Sequence, residues 1–137
     1  MKTEDAERIL AASRAKANEM GKAVTIIVSD ATGAPMALVR LDGTPPMTTM
    51  VAEGKAAAAI FTGRDSALVK TMADNNPAIA NAVRERLGGR FMAVQGAVVL
   101  KRDGAVVGAV GVSGATSQED EDIARAGADV VDGGQKL

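Results

Sequence analysis

The chain has 137 residues, sixteen basic and seventeen acidic, with a formal net charge of −1; it suits one domain with a real core and suggests no polyanion partner. It contains no histidine, cysteine, tyrosine or tryptophan, which excludes a histidine general base, a Ser-His-Asp triad, thiolate chemistry and a disulfide framework. Proton transfer is left to Asp, Glu, Lys or an activated water, and with Phe61 and Phe91 the only aromatic residues, nucleic-acid stacking is disfavoured.

The charged N-terminus, MKTEDAERIL, lacks the apolar core of a signal peptide, and no run approaches about eighteen uncharged apolar residues. A cytoplasmic protein with a single domain over residues 1–137 is expected. Thr3 to Met20 reads as an amphipathic helix, with Thr3 as its cap, Glu4 and Asp5 in the first turn and Gly21 as its stop. Ala23 to Val28 and Met36 to Leu41 are β-prone runs joined by the turn Asp30-Ala31-Thr32-Gly33, which predicts a hairpin. Arg40 and Asp42 fall at its far end, beside the loop Gly43-Thr44-Pro45-Pro46, where charges are candidates for a site.

Thr48 to Thr62 is alanine-rich and helical, Gly63 ends it, and Lys55 lies on its small-residue face. A lysine there either runs its stem along the surface with the amine in water or gives its amine to a buried anion. A short helix is expected from Asp65 to about Ala73, and another from Asn76-Pro77 to Leu87, ended by Gly88-Gly89. Phe91 to Leu100 predicts a third strand, Lys101-Arg102-Asp103-Gly104 a hairpin turn and Ala105 to Val112 a fourth strand. Ser117, as cap, opens a closing helix to Val130, followed by a frayed tail from Asp132 to Leu137. The order of elements gives an α+β domain: an antiparallel sheet flanked by helices.

If the end of the second strand meets the start of the following helix, Arg40, Asp42 and Lys55 converge. Arg and Lys would then hold a carboxylate, with Asp orienting them or acting as a base; an ordinary ion-pair cluster is the alternative. Gly108, Gly111 and Gly114 recur every third residue, which in a strand means close backbone approach by a helix or by a ligand. The turn Gly111-Val112-Ser113-Gly114, leading into a helix N-terminus, presents backbone N–H groups that suit an anion. The acids Glu119 to Asp122 resemble hard metal ligands, but successive helical residues diverge and acids here complement the helix dipole, so no metal site is assigned. A core rich in Ala, Val and Gly removes little area per side chain from water, and burial between subunits is expected to add to it.

The turn residues Asp30 and Gly33, the cluster Arg40, Asp42 and Gly43, the pair Lys55-Ala56, and the run Asp103 through Gly114 before an acidic helix together resemble the GlcG/HbpS-like, "haem-degrading" domain family. The C-terminal domain of PduO-type proteins looks related. The likeness spans nearly the whole chain. It implies a profilin-like sheet, assembly into tetramers or octamers, and a link to haem, corrinoid or small hydroxy-acid metabolism. Without His, Tyr or Cys, only methionines and lysines can ligate a haem iron, so no cofactor is assigned. The expected function is an oligomeric small-molecule-binding protein that holds a small organic anion with Arg40, Asp42, Lys55, Gly111, Ser113 and Gly114. An isomerase or lyase using Lys55 and Asp42 for acid–base chemistry is the first alternative, and a haem or corrinoid binding protein the second.

Overall fold

Among the described residues, five helices and four strands follow in the order α1 (Thr3–Met20), β1 (Thr25–Asp30), β2 (Pro35–Arg40), α2 (Met47–Thr62), α3 (Ser66–Asn75), α4 (Pro77–Arg86), β3 (Ala97–Arg102), β4 (Ala105–Ser113) and α5 (Ser117–Asp132). They come from a computed structural model that describes residues 1–132; the expected tail beyond residue 132 lies outside the described residues. The strands form one antiparallel sheet in the order β2-β1-β4-β3, which makes the chain the α+β domain its element order predicts. Among the described residues no helix is long and apolar enough to cross a membrane.

Strand alternation sends side chains to two different covers. Ile26, Val28, Val98, Leu100, Val110 and Val112 face the α1–α5 layer and form the larger core with Ile9, Ile123 and Ala124. The opposite face carries smaller residues, Ile27, Ala97 and Ala109, and packs against Ala52, Ala56 and Ala59 of α2. Here the glycine rhythm of β4 has its explanation. A Cβ at Gly111 would collide with the Ala52 carbonyl, so its absence lets α2 lie directly on the strand.

Helix ends follow the chain's chemistry. Gly21 and Gly63 adopt the left-handed conformation that ends α1 and α2, with φ of 67° and 71°, and Pro77 takes the first turn of α4. Two expected caps are displaced by one residue. Thr3 is already helical, and Asp5 closes the start of α1 by accepting the Lys2 N–H at 3.0 Å. At α5 the cap is Thr116 instead of Ser117: its hydroxyl accepts the Glu119 N–H at 3.2 Å, and the Glu119 carboxylate accepts the Thr116 N–H at 3.1 Å.

The third strand is shorter than its apolar run predicts. Residues 91–96 bend under α2: Met92 donates its N–H to the Gly54 carbonyl, and Phe91 and Ala93 join Ala58 and Val69 in a small third core. Gly96, at a φ of 138°, lets the chain turn into β3. At the far end Lys101 and Arg102 stay in the ladder, paired with Val106 and Ala105. The turn itself is Asp103-Gly104, both with positive φ, the pair that a two-residue hairpin of this hand requires.

Candidate functional site

Lys55 has a buried anion for its amine, and the anion belongs to the protein. Its Nζ lies 3.0 Å from Asp120 Oδ2 and donates to the Val112 carbonyl at 2.9 Å. Both side chains are nearly sealed, 3% and 2% exposed. The second oxygen of Asp120 accepts the Ala115 N–H at 2.9 Å, so each charge is both paired and hydrogen-bonded, the condition under which buried ions are tolerated. The amine has room because position 96 is glycine; a Cβ there would stand 2.6 Å from Nζ.

Arg40 and Asp42 sit elsewhere. They line an open hollow of about 390 Å³ at the junction of the end of α1 with the end of β2, with Arg14, Asn18 and Lys22 as further walls. Arg40 lends one guanidinium nitrogen to the Thr44 carbonyl at 2.7 Å, which steadies the side chain and leaves other donors of its fork. Lys22 reaches Glu119 at 3.2 Å, so its charge is shared. Arg14 and Arg40 have no carboxylate partner among the described residues. The hollow thus gathers three cations and a single acid, Asp42.

The expected convergence of Lys55 with Arg40 and Asp42 is corrected accordingly: the strand does end near the helix, but Lys55 turns inward to β4 and α5. Neither Gly111, Ser113 nor Gly114 lines the hollow that holds Arg40 and Asp42. Gly111 lies beneath α2, and a Cβ on Gly114 would stand 2.8 Å from the Ala23 carbonyl, so that turn is pressed onto the chain itself. Ser113 is buried opposite Thr25. Just before α5, the Ala115 and Thr116 N–H groups are taken by Asp120 and Glu119.

Three of the four acids divide among separate tasks. Glu119 caps the helix, Asp120 faces Lys55, and Asp122 accepts from Gln118. The Thr116 N–H and hydroxyl, then Lys22, hold Glu119 below the ordinary carboxylate range. Sequence reasoning missed Asp120, although its signal was present: it is spaced three and four residues before Ile123 and Ala124, both fully buried, and so lies on the inward face of α5.

The family model described as haem degrading protein, HbpS-like, matches residues 1–129. No curated protein matches the chain. Among solved structures, a double mutant of Streptomyces reticuli HbpS is 26% identical, with a TM-score of 0.83 over 96% of this chain and 86% of that one. Two more distant structures share the fold. A Klebsiella pneumoniae protein, ORFY, is 23% identical with a TM-score of 0.84 over 94% of this chain and 88% of its own. The complex of PduOC with haem is 22% identical with a TM-score of 0.83 over 93% and 92%.

Proposed function

As the chain belongs to the family of haem degrading, HbpS-like proteins, we propose that it is a small-molecule-binding protein that assembles with copies of itself and takes a small organic anion at Arg40 and Asp42. The observation that carries this reading is the gathering of Arg14, Lys22 and Arg40 around one hollow of about 390 Å³, a volume suited to a small ligand. The guanidinium forks of Arg14 and Arg40 match the two oxygens of a carboxylate, and Asp42 accepts from a hydroxyl beside it. Lys55 does not line this hollow; it ties α2 to β4 and α5. Its burial and its pairing with Asp120 favour binding over acid–base turnover by that amine.

Haem, the ligand in the PduOC complex, fits this chain poorly as an iron-ligated cofactor. The sequence holds no imidazole, thiolate or phenolate, and Lys55 is committed to Asp120. What remains is thioether, a weak iron donor without a stronger partner, and the amines of the other lysines.

Titration calorimetry with short-chain hydroxy and keto acids tests the reading. One or more of them binds saturably, Arg40→Ala weakens that binding at least tenfold, the scale of a lost charge-assisted hydrogen bond, and Arg14→Ala acts in the same direction. Binding that survives both substitutions unchanged contradicts it.

A further inference from the structure

The two aromatic residues of the chain, Phe61 and Phe91, are 30 positions apart and line the same cavity. It has a volume of about 420 Å³ and lies between the end of α2, α3 and α4, with Val69, Met72, Ile79 and Val83 as its apolar walls. It is distinct from the cationic hollow and shares no lining residue with it.

The two rings are held differently. Phe91 is buried at 3% exposure, and Arg84 grips its backbone by donating Nε–H to the Phe91 carbonyl at 3.2 Å. Phe61 is 52% exposed at the mouth, yet its ring rests on the β1–β2 turn: a Cβ at Gly33 would lie 3.4 Å from its Cε2. Met72 and Ile79 flank it, 43% and 61% exposed. A chain poor in large side chains has therefore placed both its rings, and two of its exposed apolar groups, around one cavity. Leaving such groups in water is unfavourable, and a cavity of this size and lining is the usual form of a ligand pocket. Polar lining is sparse. Thr62 is spent on the Ala58 carbonyl, which leaves Asn75 and Asn76, at the α3–α4 junction, to orient a guest.

We propose that this cavity binds a planar, largely apolar organic molecule, stacked on Phe61 and held without coordination of a metal. Phe61 supplies a preorganised face, Met72 a polarisable contact to a π-system, and Ile79 and Val83 the opposing wall. The cavity lining contains no charged side chain and no imidazole, thiolate or phenolate, so affinity comes from ring contact and burial alone.

Fluorescence titration with 1-aminoanthracene, on the intact chain, is the test. The expected result is saturable binding of one probe per chain. Phe61→Ala and Ile79→Arg, both at exposed positions that folding tolerates, each weaken it at least tenfold, while Arg40→Ala leaves it unchanged. Haemin and iron-free protoporphyrin IX either displace the probe within threefold of each other or both fail to displace it. The proposal is overturned by absence of saturable binding, by affinity that both cavity variants leave intact, or by probe release as rising protein concentration lets a second copy cover the mouth. Displacement by haemin more than tenfold stronger than by the iron-free ring also overturns it, since that preference requires iron ligation. Loss of carboxylate binding in Arg40→Ala reports on the other hollow and leaves this result standing.

Discussion

At the scale of single residues, the Lys55–Asp120 pair decides more than any other contact. Neither charge has access to water, so removing one partner strands the other. Lys55→Met and Asp120→Leu are each expected to destabilise by about 3–5 kcal/mol. The double variant Lys55→Met with Asp120→Leu is expected to recover a large part of that loss, because no buried charge is left unpaired. Denaturant unfolding of the four proteins measures the coupling; additive losses would reduce the pair to two independent packing positions. Buried hydroxyls give a smaller contrast. The Ser13 hydroxyl donates to the Ile123 carbonyl at 2.8 Å, whereas the Ser29 hydroxyl has no partner among the described residues. Ser13→Ala is therefore expected to cost about 1 kcal/mol or more and Ser29→Ala close to nothing; the reverse order, in the same unfolding experiment, would contradict these hydrogen-bond assignments.

Half of the ion pair was legible in the sequence. Lys55 stands out because alanines surround it, but its partner hides inside a run of four acids whose composition looks like helix-dipole complementation. Only the spacing of Asp120 against Ile123, Ala124, Gly127 and Ala128 separates it from its neighbours. The pairing itself, across 65 positions, is a product of tertiary topology that no local pattern encodes.

At the scale of elements, termini were well read where a backbone conformation demanded a particular residue. Gly21, Gly63 and Pro77 stand where expected for that reason. The third strand was overread, because residues 91–96 are apolar for the sake of the small core under α2 and not for a ladder. The glycines of β4 are a packing device. Gly111→Ala is expected to push α2 off the sheet and to cost about 1–3 kcal/mol, the usual range for overpacking. A thermal unfolding midpoint unchanged from wild type would show that α2 does not need this close approach.

At the scale of the whole molecule, three carboxylates make stability depend on acidity. The Asp5 carboxyl is held below its ordinary value first by the Lys2 N–H and then by Arg8, Asp30 by the Thr32 hydroxyl and N–H, and Glu119 by Thr116 and Lys22. A carboxyl with a lower pKa folded than unfolded stabilises the fold fully above the unfolded value, and that stabilisation disappears as pH falls through the folded value. The unfolding free energy should hold steady from neutral pH to about 5, then decline below the ordinary carboxylate values. Asp30→Asn should flatten part of that decline; an identical pH profile in wild type and variant would deny Asp30 its share. Met47 and Met50, 65% and 71% exposed on α2, support the proposed assembly, since contact with another copy would cover them.

The proposed anion site is tested most directly by amide chemical-shift mapping of the intact protein during titration with a short-chain hydroxy acid. The account predicts shifts that saturate together at Arg14, Asn18, Lys22, Arg40 and Asp42, with those of Lys55 and of the Phe61 cavity unmoved. Shifts confined to Phe61, Met72 and Ile79, or none at saturating acid, would contradict it.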